Sequence, residues 1–308
     1  MDTADLLHPD IAKGLVSIAF PVIDADSLPM MRGFVMPAED LSDAVERTEI
    51  VVSTNPHVVI RVHRPKGITD ALPCLYSMHG GGYVIGSAAM DDVRFDRFCP
   101  KYPCIGVSVE YRLAPETPYP GPLDDCYAGL RWIHDNAASL GIDPQRIGVG
   151  GISAGAGLAA ALALLARDRG EVPVAFQLLE CPMLDDRQAT PSSQQDGLAI
   201  WSRESNTFGW QSYLGGLYGS DTVPYLAAPA RATDLAGLPP TFIAVGTVDG
   251  FRDEDIAYAT RLNQAGVPTE LHVYPGLPHG HALFVGVPAV AQWQRDLEDW
   301  LGRQFHAG

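Results

Sequence analysis

Basic residues are scarce in this chain. Its 308 residues include 21 Lys plus Arg against 37 Asp plus Glu, which gives a formal net charge of −16. A surface this acidic repels phosphate backbones and anionic lipid headgroups. The imbalance therefore excludes nucleic acid and anionic membranes from the expected partners, and it bears on solubility rather than on catalysis.

Cysteine is also sparse, and its spacing shows no pattern. The number of cysteines is odd, and no two of them form a C-x-x-C pair. An odd, unpatterned set excludes a complete disulfide framework, so we expect buried free thiols in a reducing compartment. The five are Cys74, Cys99, Cys104, Cys126 and Cys181.

Long apolar runs and targeting signals are missing too. The first ten residues, MDTADLLHPD, lack the basic and apolar regions of a secretory signal. The longest apolar stretch, AGAGLAAALALLA, is too short and too rich in alanine and glycine to span a bilayer. We therefore expect a cytoplasmic protein with no membrane partner.

Cofactor fingerprints are absent as well. The chain has no G-x-G-x-x-G motif for a dinucleotide and no clustered Cys/His set for zinc. We expect neither an organic cofactor nor a metal. With 46% hydrophobic and 19% charged residues, the composition is that of an ordinary globular protein.

What is present from about residue 45 onward is an alternation of strand-like and helix-like segments. HVVIRVHRP, PCLYSMHG, PCIGVSVEY and TFIAVGT have the composition of strands, whereas DDCYAGLRWIHDNAASLG and FRDEDIAYATRLNQAG have helical periodicity. This alternation predicts an α/β fold with a mostly parallel central sheet and helices on both faces. We expect the first two strands, RTEIVVS and HVVIRVHRP, to pair antiparallel.

Two stretches break the alternation. Residues 1–45 precede the first strand and look helical in part, and residues 185–225 contain no clear strand. We predict that both stretches form a helical cap over the sheet, and that the core consists of residues 46–184 and 226–308. The second stretch is rich in aromatic residues, which are Trp201, Phe208, Trp210, Tyr213, Tyr218 and Tyr225.

The strongest local motif is GISAG, residues 151–155, which lies between a predicted strand and a predicted helix. A serine at such a sharp turn needs glycine two residues away on either side, since side chains there collide. The helix N-terminus favours the anion that forms during attack on a carbonyl. The motif predicts Ser153 as a nucleophile, whereas the alternative is a glycine-rich turn that only allows close packing.

A second motif, HGGG at residues 79–82, follows the third predicted strand directly. Consecutive glycines allow backbone N–H groups to point into a site without a side chain in the way, as an oxyanion requires. Alone, the motif indicates only a flexible turn. Together with the serine motif about 70 residues later, it predicts the amides of Gly81, Gly82 and Ala154 as oxyanion donors.

A nucleophilic serine needs a base, and the base needs an orienting acid. Asp249 and His279 both follow late strands, at the edge of an α/β sheet where ligands bind. His281 is the serious rival to His279. We expect Asp253 and Glu254 to form the solvated first turn of the next helix rather than to act in catalysis.

Taken together, the segments HGGGYVIGS, YRLAPE, GISAG, VDGFRDE and LPHGH resemble the hormone-sensitive-lipase-like esterases, often called bacterial family IV esterases. The resemblance runs in order from about residue 45 to the end. It implies the α/β-hydrolase fold and the same triad and oxyanion residues, with His79 and the YRLAPE run as supports. It also implies a cap and, as in many members, a homodimer.

The chain departs from the family at two places. Ile152 stands where many members have an acid or a threonine, and His281 stands where members usually have phenylalanine. The departure at Ile152 bears on the subfamily rather than on the mechanism, whereas His281 either alters the pocket wall or adds a second imidazole near the base. We expect substrate contacts from Tyr83, Ile152, Trp201, Phe208, Trp210 and His281.

These observations predict a serine carboxylesterase that hydrolyses short- to medium-chain esters through an acyl-enzyme intermediate. The expected partner is a small-molecule ester. A lactone, carbamate or amide hydrolase with the same triad is an alternative, because a fold does not choose among such substrates. A catalytically silent receptor for a small ligand is the alternative outside the enzymes. The complete set of triad and oxyanion residues favours an enzyme.

Overall fold

A computed structural model describes residues 3–16, 20–33 and 40–306. Its central feature is one sheet of eight strands in the order β1-β2-β4-β3-β5-β6-β7-β8. The strands are β1 Val45–Thr54, β2 His57–Pro65, β3 Leu72–Met78, β4 Ile105–Glu110, β5 Ile142–Ile152, β6 Gln177–Glu180, β7 Thr241–Val248 and β8 Thr269–Pro278.

The strand directions confirm the predicted sheet. β1 pairs antiparallel with β2, and β2 pairs antiparallel with β4. Every remaining neighbouring pair is parallel. The carboxyl ends of β3, β5, β7 and β8 therefore lie along one edge of the sheet, which is where an open α/β sheet binds its ligands.

Burial of the strands follows their place in the sheet. All residues of β3 and β6 are buried, as expected for central strands covered on both faces. In contrast, β1 and β8 are the two edge strands and are largely half-buried or exposed. The last strand is therefore an edge of the sheet.

Helices cover both faces of the sheet. They are α1 Pro9–Leu15, α2 Leu28–Gly33, α3 Asp92–Lys101, α4 Gly121–Asp135, α5 Ala137–Leu140, α6 Ala154–Arg169, α7 Arg203–Leu214, α8 Arg252–Gln264 and α9 Pro288–His306. One apolar core includes side chains of α4, α6 and α8, and a second includes side chains of α1, α3 and α9. No described helix is long and apolar enough to cross a membrane.

The helix predicted from DDCYAGLRWIHDNAASLG differs in one detail. It is interrupted at Asn136, so that α4 and α5 are separate helices. The predicted end at Gly141 is correct, because this glycine takes the left-handed conformation, with φ 67°, that closes many helices. All five cysteines are buried and free, also as predicted.

The two stretches predicted as a cap contact each other and the edge of the sheet. Thr3 Oγ1 donates to the carbonyl of Gly197 at 2.9 Å, and Ile23 N–H donates to Ser205 Oγ at 2.9 Å. His8 N–H donates to the carbonyl of Gly276 at 2.9 Å. We call residues 1–45 the N-terminal segment and residues 185–225 the insert. Their boundaries as cap segments stay a prediction.

Candidate active site

Ser153 stands between the end of β5 and the start of α6 with φ 59° and ψ −123°. A serine rarely adopts this backbone conformation, so the surrounding structure must enforce it. A Cβ at Gly151 or Gly155 would overlap the backbone of Met78 at the end of β3. The glycines of GISAG are therefore needed because the turn presses against the neighbouring strand.

His279 joins the other two predicted triad residues. Its Nε2 lies 3.0 Å from Ser153 Oγ, and its Nδ1 lies 2.8 Å from Asp249 Oδ2. The other carboxylate oxygen of Asp249 accepts from the N–H of Phe251 at 2.9 Å. Nδ1–H thus donates to the carboxylate and Nε2 is left to accept the serine proton, which is the arrangement that a general base requires.

The sheet brings these residues together. Asp249 follows β7, and His279 follows β8. Pairing of the two strands continues to Val248 and Pro278, the residues directly before the two functional side chains. All three side chains are shielded from solvent, since Ser153, Asp249 and His279 are respectively 5%, 1% and 8% exposed.

His281 points elsewhere. Its Nδ1 lies 3.1 Å from the carbonyl oxygen of Pro278, and its ring packs edge-on against Trp293 of α9 at 4.4 Å. Burial lowers the pKa of His281 to about 4, so that the ring is neutral at neutral pH. The hydrogen bonds to Ser153 and Asp249 come from His279 and not from this rival.

The predicted oxyanion donors lie at the same edge. Gly81 and Gly82 have φ 114° and 58°, and a Cβ at either would overlap Ile85 or Trp201 respectively. Ala154 is the first residue of α6. Among the described residues, neither the N–H of Gly81 nor the N–H of Gly82 donates a hydrogen bond to the protein. We call residues 80–86 the glycine loop.

His79 and Tyr111 support the glycine loop from below. Their rings stack at 4.1 Å, and Tyr111 Oη donates to the carbonyl of His79 at 2.8 Å. Nδ1 of His79 lies 2.8 Å from the carbonyl of Gly80. Burial lowers the pKa of His79 to about 4, and a neutral ring fits a packing role.

Two predicted pocket residues lie beside the triad. The six-membered ring of Trp201 rests on Gly82, and its centroid lies 6.4 Å from that of His279. Ile152 is half-buried, and its Cγ2 lies against Gly80. Trp201 therefore extends from the insert across the glycine loop towards His279.

Other predicted pocket residues lie in the packing between the insert and the core. Tyr83 is 1% exposed, stacks on Tyr213 at 4.0 Å and donates to the carbonyl of Met183 at 3.2 Å. Trp210 is fully buried 5.5 Å from Tyr83, and Phe208 is half-buried on the same cluster. Their role as substrate contacts stays a prediction.

The expectation of a solvated first turn in α8 is wrong. Glu254 is 3% exposed, and its Oε1 accepts from the N–H groups of Leu184 and Asp185 at 2.8 and 3.0 Å. Asp253 accepts from Ser192 N–H at 2.8 Å and donates its own N–H to Ser192 Oγ at 3.0 Å. The helix that follows Asp249 therefore holds the start of the insert.

A thiol lies close to the triad. Ligand atoms of Cys181, Asp249 and His279 all lie within 4.8 Å of one another, the one such group among the described residues. Burial, with the nearby carboxylates of Asp249 and Asp255, raises the pKa of the Cys181 thiol well above its ordinary value. A metal prefers the thiolate, so this burial disfavours metal binding here. The absence of a metal stays a prediction.

Comparison with known proteins agrees with this geometry. The sequence profile of a family with the α/β-hydrolase fold matches residues 75–283. The chain belongs to this family. It is 41% identical over 239 residues to carboxylesterase NlhH of Mycobacterium tuberculosis, covering 76% of this chain and 75% of that protein. With esterase LipI of the same organism it shares 38% identity over 295 residues, covering 94% and 92%.

A solved structure extends the comparison to the whole chain. The bacterial heroin esterase superposes with a TM-score of 0.93 at 42% identity, covering 99% of this chain and 100% of that one. These similarities confirm the predicted family, the predicted fold and the assignment to the ester hydrolases.

Proposed function

We propose that this family member is a serine carboxylesterase in which Ser153 carries the acyl group, His279 is the general base and Asp249 orients the base. The observation that supports it most strongly is the hydrogen-bonded chain from Ser153 Oγ through His279 to Asp249. A serine in strained geometry, in contact with a base that is itself oriented, is the arrangement of an activated nucleophile.

In the first half-reaction, Ser153 Oγ attacks the ester carbonyl while His279 Nε2 takes the hydroxyl proton. The carbonyl oxygen becomes an oxyanion, which the amides of Gly81, Gly82 and Ala154 stabilise. His279 then returns the proton to the leaving alkoxide, the C–O bond breaks and alcohol departs.

In the second half-reaction, water replaces the alcohol. His279 takes a proton from the water, and the hydroxide attacks the acyl carbon of the ester formed with Ser153. The same amides stabilise the second oxyanion. Collapse returns the proton to Ser153 Oγ and releases the carboxylic acid, so the enzyme is regenerated with no cofactor consumed.

We infer a preference for short- to medium-chain acyl groups. Trp201 spans the space between Gly82 and His279, and a bulky ring there limits the depth of the site. Ile152 narrows the other side beside Gly80. A small-molecule ester is therefore the proposed partner, and neither nucleic acid nor an anionic membrane is proposed, given the net charge of −16.

The cellular compartment and the oligomeric state are also proposals. We propose a cytoplasmic enzyme, on the basis of its five free thiols. We also propose a homodimer that uses the exposed edge strand β8, because unpaired strand edges favour association.

The test is hydrolysis by Ser153→Ala. This variant keeps the fold but cannot form an acyl-enzyme, so kcat on p-nitrophenyl butyrate should fall by about 10⁴- to 10⁶-fold. Retention of a tenth of wild-type activity would exclude the mechanism. The same assay on matched lactone, carbamate and amide substrates separates the esterase from those alternatives, and ligand binding without turnover of any of them indicates a receptor.

A further inference from the structure

We propose that Arg32 of α2 is a positioning residue, which holds the glycine loop in the conformation that binds the oxyanion. The proposal rests on the proposed function, since it assigns the glycine loop to the oxyanion. Arg32 does not contact the triad; it acts through the backbone that follows Gly81 and Gly82.

A single guanidinium joins three segments of the chain. Arg32 Nε donates to the carbonyl of Val84 at 2.8 Å, and Nη2 donates to the carbonyl of Ala114 at 2.7 Å. Nη1 and Nη2 also donate to the two carboxylate oxygens of Glu116 at 2.7 and 2.8 Å. The planar fork of arginine allows this pattern, which the single ammonium of lysine does not reproduce.

The carbonyl of Val84 belongs to the turn that shapes the oxyanion site. Val84 and Ile85 both donate their N–H groups to the carbonyl of Gly81, at 3.0 Å each. Ala114 N–H donates to the carbonyl of Tyr83 at 2.9 Å. Arg32 therefore bonds to both segments that meet in the contact between Ala114 and Tyr83, the residue directly after Gly82.

The ion pair between Arg32 and Glu116 contributes little to stability by itself, because the two side chains are 28% and 63% exposed. A gain in stability from this pair therefore does not explain the position of the guanidinium. The hydrogen bond from Arg32 lowers the pKa of Glu116 to about 2, so this carboxylate stays ionised throughout the working range. Glu116 orients the guanidinium, and the two carbonyl bonds transmit that orientation to the glycine loop.

Loss of this clamp should affect the transition state more than substrate binding. Oxyanion donors act by being in place before charge develops, and loss of one donor costs about 10²- to 10³-fold in kcat. A displaced donor costs less than a missing one. We expect Arg32→Met, which keeps the apolar stem and removes all donors, to lower kcat about 10- to 100-fold while KM changes less than about threefold.

The experiment compares Arg32→Met with Arg32→Lys, Glu116→Gln and a control, Arg131→Met. Arg131 is 62% exposed, and its ion pairs are long, at 3.7 and 3.9 Å. The readouts are kcat and KM on p-nitrophenyl butyrate, the pH profile of kcat/KM and inhibition by a trifluoromethyl ketone. The ketone adds to Ser153 and forms a tetrahedral oxyanion.

We expect the inhibition constant of the ketone to rise in Arg32→Met by about the same factor as kcat/KM falls, with an unchanged apparent pKa of the base. Arg32→Lys and Glu116→Gln should lose less, because each keeps part of the hydrogen-bond set. A loss of kcat below about fivefold in Arg32→Met, or an equal loss in Arg131→Met, overturns the proposal.

Folding and catalysis are kept apart by the intermediate variants. If Arg32→Met does not fold, the comparison passes to Arg32→Lys: a fall in kcat with constant KM and weaker ketone inhibition supports the proposal, and wild-type values of both overturn it. Full activity of Ser153→Ala would overturn the proposed function instead, so the two failures are distinguishable.

Discussion

At the scale of single residues, the imidazole rings of His279 and His281 lie two positions apart in the chain and make different contacts. Nε2 of His279 faces Ser153 at 3.0 Å, whereas the ring of His281 packs against Trp293. In the sequence, Pro278 and Gly280 flank His279, and Gly280 separates it from His281. Gly280 has φ 68°, and this left-handed turn sends the two side chains in different directions.

Exchanging these two residues should therefore have unequal effects. His279→Ala should lose nearly all activity, because no base remains to accept the Ser153 proton. His281→Phe keeps an aromatic ring against Trp293 and should leave kcat/KM within about tenfold, or about 1.4 kcal/mol of transition-state binding. Side-by-side assays on one activated ester test this; a dead His281→Phe beside a live His279→Ala reverses the assignment.

The stability of His281→Phe supplies a second readout. Since the folded pKa of about 4 lies below the ordinary value of 6.5, the unfolded chain binds more protons between these pH values. His281 therefore reduces stability as pH falls from 6.5 towards 4. Urea unfolding at pH 7 and pH 5 should show a smaller loss in His281→Phe than in wild type, and an equal loss in both would contradict the buried, neutral ring.

The sequence pattern around Asp253 and Glu254 does not indicate that the first turn of α8 is covered by another segment. Acidic residues in the first turn of a helix are favourable whether or not they are solvated, since they complement the helix dipole. Nothing in the pattern FRDEDIAYATRL indicates that the insert folds back over this turn. The buried position of Glu254 depends on contacts with Leu184 and Asp185, about 70 residues earlier in the chain.

At the scale of elements, α8 links the loop that carries Asp249 to the insert. Burial raises the pKa of Glu254 well above its usual range, so that its carboxyl is favoured in the neutral form. Glu254→Gln should then be nearly neutral in stability, because the amide oxygen still accepts from both N–H groups. Glu254→Ala leaves two buried N–H groups without a partner and should lose about 2–4 kcal/mol in urea unfolding. Equal stabilities of the two variants would contradict this account.

The insert also supplies the ring that we expect to limit the acyl chain. Wild type should hydrolyse soluble p-nitrophenyl butyrate faster than emulsified long-chain triglyceride. Trp201→Ala removes the ring between Gly82 and His279, so a longer acyl chain can fit into that space. The ratio of kcat/KM for octanoate to kcat/KM for butyrate should then rise about 10-fold, which corresponds to roughly 1.4 kcal/mol of additional transition-state binding. Tyr225→Ala, which removes a ring of the insert that is 39% exposed, is the matched control. Faster triglyceride turnover by wild type, or no change of the ratio in Trp201→Ala, would refute the size limit.

Sequence patterns predicted the elements of the core better than those of the cap. Central strands such as β3 and β7 are continuous apolar runs, and the glycines that end them mark the sheet edge. The N-terminal segment has no comparable pattern. Its contacts with the core are single long-range bonds, such as that from Arg32 to Val84, which lies 52 positions later in the chain.

At the scale of the whole molecule, β1 and β8 are the two edge strands of the sheet, and among the described residues each pairs with a strand on one side only. β1 carries charged side chains such as Glu46 and Glu49, which disfavour pairing with another strand. β8 is the better candidate for association. Light scattering at micromolar concentration should give a dimer mass, and His272→Pro, which removes a strand N–H, should shift it towards the monomer if the pairing uses β8. A monomer mass for wild type removes the dimer proposal.

Residues from many parts of the chain converge at one edge of the sheet. Elements that are far apart in sequence bring Ser153, His279 and Asp249 together, and Arg32 of the N-terminal segment bonds to the glycine loop beside them. Such convergence is what pre-organised catalysis requires. It supports the proposal that one side chain, Ser153, is the nucleophile.

Covalent trapping of that side chain tests the central claim most directly. Wild type, Ser153→Ala and His279→Ala are each incubated with a p-nitrophenyl alkylphosphonate and measured by intact mass and peptide mapping. Our account predicts one phosphonyl adduct per wild-type chain, located on Ser153, no adduct on Ser153→Ala, and labelling slowed by about 10³-fold or more on His279→Ala. An adduct on another residue, or ester hydrolysis by a wild-type protein that the phosphonate does not label, would contradict it.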